Sequence, residues 1–129
     1  MIRKETILII EDTVDLVELY KIYFEGEGLE VYTATDGLEG ITKMVEIKPD
    51  IVLLDIMMPQ MNGFEVLEAI KNQTSMDTPI IICSNLSKQT DIDKALELGA
   101  DLYIRKSDYE GSEIVKKVME FVKSNNIIS

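Results

Sequence analysis

The stretch DIVLLDIMMPQMNG, residues 50–63, decides the fold. Ile51 to Leu54 form an unbroken apolar run without the alternation of a half-exposed strand. A short run of this kind, bounded by turn residues, reads as a strand buried on both faces, as the strands of parallel sheets are. The run ends in Asp55, followed by Met57, Met58, Pro59 and the Asn62-Gly63 pair, which read as a loop. A carboxylate at the mouth of so apolar a strand needs water, hydrogen-bond donors or a cation beside it.

Working outward, ETILII (5–10), LEVYTA (29–34), PIIICS (79–84) and DLYIR (101–105) are further short apolar runs. With residues 51–55 they make five strands, all but the second expected to be buried on both faces. Helical periodicity fills the gaps. Leu16, Leu19, Tyr20 and Tyr23 follow the i, i+3, i+4, i+7 pattern up to Gly26 and Gly28. Leu38, Ile41 and Val45 repeat it before Pro49, and Val66, Leu67 and Ile70 form a third stripe. Ile92, Ala95 and Leu96 form a fourth, closed by Gly99 as a C-terminal cap. Val115, Val118, Met119 and Val122 form the last. Five strand–helix units predict a doubly wound α/β fold, a parallel sheet between two helical layers.

The chain has 129 residues, which suits one domain covering residues 1–129, and the tail KSNNIIS is too short for a second. No apolar run approaches the ~18 residues of a membrane span, and the start MIRKETILIIED turns acidic too early for a secretory signal. A formal charge of −11, from 24 acids against 13 bases, argues against direct binding to nucleic acid or to anionic lipid. There is no histidine, which removes the commonest general base and metal ligand. The single cysteine, Cys83, reads as a small core residue, and its lack of a disulfide partner within the chain fits a reducing cytoplasm.

In open α/β sheets ligands bind beyond the carboxyl ends of the strands, where strand order reverses. There the first strand ends in Glu11-Asp12, the third in Asp55, the fourth in Ser84 and the fifth in Lys106. If the first and third strands are neighbours, three carboxylates converge. Two unit charges ~5 Å apart repel by roughly 3 kcal/mol at an effective dielectric near 20. Such a cluster protonates, splays into water or takes up a cation, and a hard divalent ion such as Mg²⁺ fits oxygen ligands. A dinucleotide site would need a glycine-rich turn where this chain has EDTVD. An aspartyl phosphatase would usually carry a second Asp where this chain has Met57, and no Ser-His or Cys-His pair is possible.

These residues resemble the receiver domain of two-component response regulators, of the single-domain chemotaxis-regulator type. The acidic pair Glu11-Asp12, Asp55 within DIVLLDIMMPQMNG, Ser84, and Lys106 at the end of GADLYIRK each fall on a strand end. The resemblance implies strand order 2-1-3-4-5, a flavodoxin-like receiver with five helices. It implies that Asp55 accepts a phosphoryl group from a phosphohistidine. It further implies that Mg²⁺ is held by Asp12, Asp55 and the backbone carbonyl of Met57, and through water by Glu11. Lys106 would pair with the phosphoryl oxygens and Ser84 would hydrogen-bond one of them. Tyr103 would then turn inward, re-forming the face of the fourth helix, fifth strand and fifth helix. Met57 and Leu86 would flank the path of the hydrolytic water and slow loss of the phosphoryl group.

The partners so implied are a sensor histidine kinase or phosphotransfer protein and a downstream protein. No nucleic acid or membrane is expected, and the location is cytoplasmic. The only reactions expected are the chain's own phosphorylation and slow autodephosphorylation. A degenerate receiver, acting as an interaction module without phosphorylation, is the alternative. Three positions depart from the family's habit: Asn85 for Ala or Gly, Leu102 for the Asp of a charged dimer network, and Ser107 for Pro. The last predicts a trans Lys106–Ser107 peptide.

Overall fold

A computed structural model describes residues 4–73, 75–125 and 127, leaving residues 1–3 and most of the last four outside the description. Strands and helices alternate along the chain. They are β1 (Thr6–Ile10), α1 (Val14–Gly26), β2 (Glu30–Ala34), α2 (Gly37–Ile47), β3 (Ile51–Leu54) and α3 (Gly63–Gln73). There follow β4 (Ile80–Ser84), α4 (Gln89–Glu97), β5 (Leu102–Arg105), a 3-10 turn (Lys106–Asp108) and α5 (Gly111–Ser124). The strands form one parallel sheet in the order β2-β1-β3-β4-β5, as expected. The order reverses between β1 and β3. There Ile10 lies opposite Leu54, so the residues that follow each strand emerge side by side.

Period-2 alternation splits the apolar runs between two cores. Ile7, Ile9, Ile51, Leu53, Ile81 and Cys83 face α1 and α5. Leu8, Ile10, Val52, Leu54, Ile80 and Ile82 face α2, α3 and α4. β1, β3 and β4 are buried throughout. β5 is not, contrary to expectation: it is the end strand of the sheet, and only Ile104 is fully buried. An apolar run alone does not distinguish an end strand from a central one.

Two helix faces also differ from the expected stripes. In α1 the sheet-facing residues are Val17, Tyr20 and Phe24, while Leu19 and Tyr23 turn to the flank against Gly111 of α5. In α2 the buried residues are Gly37, Gly40 and Met44, and Leu38 and Val45 are exposed. Glycine lets α2 approach closely: a Cβ at Gly40 would lie 2.7 Å from Ile10, and one at Gly37 would lie 2.8 Å from Val66. A contact face built of glycine carries no hydrophobic signal, so the exposed stripe attracts the reading instead. In α4 only Ala95 is fully buried, and Leu96 is exposed. The α3 and α5 stripes match, and α5 adds Ile114. Gly99, at φ 110°, ends α4 in a Schellman motif, with Ala100 N–H donating to the Ala95 carbonyl and Gly99 N–H to that of Leu96.

Candidate functional site

Glu11 and Asp55 each continue a central strand by one residue. Asp55 N–H donates to the Ile10 carbonyl and Glu11 N–H to that of Ala34, both at 3.0 Å, so sheet pairing fixes the backbone beneath the two acids. Their side chains are 3% and 6% exposed, and Asp12 is half-buried beside them. Carboxylate oxygens of Glu11, Asp12 and Asp55 lie within 4.8 Å of one another. Lys106, carried in on the first residue after β5, ion-pairs with Glu11 Oε1 and lies 3.4 Å from Asp55 Oδ2. The other Glu11 oxygen accepts the Thr13 N–H at 3.2 Å, and Asp55 Oδ1 accepts the Met57 N–H at 3.3 Å.

These contacts set the electrostatics. Burial alone would lower the Lys106 pKa, but the Glu11 pair and the nearby Asp55 overcome it and the net direction is upward. The Asp12 carboxyl is pushed above its ordinary value by burial and then by Glu11. One ammonium among three carboxylates leaves the cluster short of positive charge. Hard oxygen donors at this spacing, with excess negative charge, fit a divalent cation such as Mg²⁺.

The β3–α3 loop is shaped around Asp55. Gly63 donates to the Ile56 carbonyl at 2.9 Å, and a Cβ there would lie 2.4 Å from the Asp55 carbonyl oxygen. No side chain can occupy that position without moving the phosphoacceptor candidate's own peptide. Asn62 caps α3: its Oδ1 accepts the Glu65 N–H at 3.0 Å, and Glu65 Oε1 accepts the Asn62 N–H at 3.2 Å.

Ser84 is fully buried at the end of β4, its hydroxyl accepting the Leu86 N–H at 3.2 Å. The Tyr103 hydroxyl donates to the Leu86 carbonyl at 2.6 Å, and its ring is half-buried in the α4-side core. Tyr103 therefore already points inward, and the Lys106–Ser107 peptide is trans, as expected from Ser107. Cys83 is a core residue, its thiol pushed up to about 12 by burial. Met57 and Leu86 line one open cleft of about 430 Å³ beside Asp55, together with Ile56, Met58, Asn62 and Phe64. Sequence reasoning missed Phe64. Its place directly after Gly63, at the start of α3, is the signal that puts it on the loop side.

A family model for the response regulator receiver domain matches residues 7–119. The chain belongs to this family. Receivers accept a phosphoryl group, bind Mg²⁺ in an acidic pocket and interact with histidine kinases or phosphotransfer proteins. Among curated relatives, this receiver is 38% identical to the response regulator SaeR of Staphylococcus aureus over 112 residues, 87% of this chain and 48% of that protein. It is 32% identical to the DNA-binding response regulator MtrA of Mycobacterium tuberculosis over 123 residues, 95% of this chain and 53% of that protein. It thus spans about half the length of the curated relatives it matches. The CheX–CheY–BeF3–Mg complex of Borrelia burgdorferi superposes with a TM-score of 0.82 at 31% identity, covering 91% of this chain and 88% of that one. A CheY-like receiver from Methanospirillum hungatei superposes with a TM-score of 0.86 at 27% identity, covering 96% and 98%. Among the described residues no helix is long and apolar enough to cross a membrane.

Proposed function

We propose that Asp55 accepts a phosphoryl group from the phosphohistidine of a sensor kinase or phosphotransfer protein, in a Mg²⁺-dependent reaction in the cytoplasm. The observation that carries this reading is the position of the Asp55 carboxylate. It is fixed by the Met57 N–H, faced by Lys106 and flanked by Glu11 and Asp12. The relative whose solved complex contains BeF3 and Mg supports it.

One Asp55 oxygen attacks phosphorus, the phosphorus–nitrogen bond to the donor imidazole breaks, and that ring leaves with its electron pair and takes up a proton. The product is an acyl phosphate. Such a transfer rests on positioning and charge neutralisation more than on acid–base chemistry, which suits a site without histidine. Asp12, Asp55 and the Met57 carbonyl would hold the cation, with Glu11 reaching it through water. An indirect role suits Glu11, whose two oxygens are engaged by Lys106 and by the Thr13 N–H. A bound divalent cation supplies neutralisation of the phosphoryl and carboxylate oxygens. Lys106, already within reach of Asp55, balances the transferred oxygens, and the Ser84 hydroxyl donates to one of them.

Recruiting Ser84 would draw on the β4–α4 loop, where the Ser84 hydroxyl holds the Leu86 N–H and Tyr103 holds the Leu86 carbonyl. The α4–β5–α5 face is thereby tied to the site and would carry the signal to a downstream protein. The inward Tyr103 favours a second reading, in which this face is set without phosphorylation and the chain is a constitutive interaction module. Acetyl phosphate with Mg²⁺ separates the two. The first reading requires the protein, but not Asp55→Asn, to gain the mass of one phosphoryl group. No gain in either supports the second.

A further inference from the structure

Of the α2 stripe that sequence reasoning assigned to the core, Ile41 packs against the core while Leu38 and Val45 face outward. Leu38 is 68% exposed and Val45 is 52% exposed, seven residues apart and so on one face of the helix. Beside Leu38, two clefts of about 90 and 300 Å³ meet at Met61, one toward the start of α2 and the other along α3. Met61 is half-buried and seated against α2, where a Cβ at Gly37 would come within 2.9 Å of it. The charged residues lining the two clefts, Asp36, Glu65 and Glu68, are all acidic. Lysines of the same helices lead elsewhere: Lys43 bonds the Thr33 carbonyl, and Lys71 lies against Gly99.

We propose that this α2–α3 face, centred on Met61, docks an amphipathic helix of a partner protein bearing lysine or arginine beside its apolar residues. Charge complementarity selects the occupant. An acidic rim on a −11 chain repels nucleic acid, anionic lipid and acidic peptides, and attracts a cationic segment. The cleft at the start of α2 and the cleft along α3 meet at Met61, so an incoming helix can seat apolar residues there, and flexible Met61 adapts to what enters. The surface is distinct from the α4–β5–α5 face, and the proposal stands whether or not Asp55 is the phosphoacceptor.

The test is binding of a Leu/Lys amphipathic model helix, with its Leu/Glu counterpart as control, followed by methionine-methyl and amide NMR. The Met61 methyl and the Glu65 and Glu68 amides should shift with the basic helix, and the acidic helix should not bind. The pair Leu38→Ser with Glu68→Lys, both at exposed positions, should weaken binding about tenfold. A matched pair on α1, Ile22→Ser with Glu25→Lys, changes charge and apolar surface equally and should alter affinity less than about twofold. Absence of binding, shifts centred on another face, or equal losses from the two pairs would overturn the proposal.

Discussion

Replacing Lys106 with methionine should destabilise the metal-free protein and leave a deficit that Mg²⁺ partly repairs. The lysine, Glu11 and Asp55 side chains are 13%, 3% and 6% exposed, so this is a nearly buried ion cluster. At the observed 3.4 Å, the attraction to Asp55 alone is about 5 kcal/mol at an effective dielectric of 20. Much of that is offset by the cost of burying the ammonium. Removing the ammonium, however, strands two buried carboxylates, and breaking such a pair typically costs 3–5 kcal/mol. The open side at Asp12 argues for the lower end. With a urea slope of about 1.5 kcal/mol per molar, a loss of about 3 kcal/mol moves the unfolding midpoint down by about 2 M.

The assay is urea unfolding followed by circular dichroism, in EDTA and then in saturating Mg²⁺. Cation at a hundred times its dissociation constant adds about 2.7 kcal/mol to the native protein. The variant, with no ammonium competing for Glu11, should gain more than the native chain. The pH dependence has a definite sign. The Lys106 pKa lies above its ordinary 10.5, so its contribution is fully present below that value and is lost as pH rises through the higher native one. The gap between native protein and variant should therefore close only in strong alkali. Equal midpoints in EDTA at neutral pH would refute the reasoning.

Four further outcomes follow from the same geometry. Asp12→Ala should cost more Mg²⁺ affinity than Glu11→Ala by calorimetric titration, because only Asp12 is expected to ligate directly. Affinity in the native protein should begin to fall, on acidification, at a pH above the ordinary aspartate value of 3.8, since the Asp12 carboxyl is held higher. Met57→Asn combined with Leu86→Glu should speed loss of the phosphoryl group about 10²-fold in a decay assay, by replacing apolar walls of the cleft with groups that can align water. Gly63→Ala should lower stability by about 2–3 kcal/mol in the same urea assay, because its Cβ meets rigid backbone rather than a movable side chain.

The strand positions and the acids at their ends are legible because both follow from rules that act at a distance of one or two residues. The order 2-1-3-4-5 that brings the acids together comes instead from the resemblance to the receiver family. A buried strand announces itself by an unbroken apolar run, and the residue that ends it must sit at the sheet's carboxyl edge. Glu11, Asp55, Ser84 and Lys106 fall at that edge on those grounds alone, independently of the family resemblance. The rotation of α1 and α2 was not legible, for a different reason. Each helix carries two apolar or small-residue stripes, and the choice depends on what packs opposite. Gly40 meets Ile10, and Leu19 meets Gly111, both contacts between distant parts of the chain. The partial exposure of β5 likewise depends on its position at the sheet's end, which an apolar run does not encode. The inward Tyr103 depends on one hydrogen bond to a carbonyl in another loop, and no sequence pattern specifies that bond.

The measurement that bears most directly on the central claim is chemical mapping of the phosphorylated residue. The protein is treated with acetyl phosphate and Mg²⁺, the acyl phosphate is reduced with borohydride, and the digest is sequenced by mass spectrometry. Reduction converts a phosphorylated aspartate to homoserine. The account predicts homoserine at position 55 and nowhere else, with none formed when EDTA replaces Mg²⁺. Homoserine at Asp12, or unmodified Asp55 in protein that has gained a phosphoryl group, would contradict it.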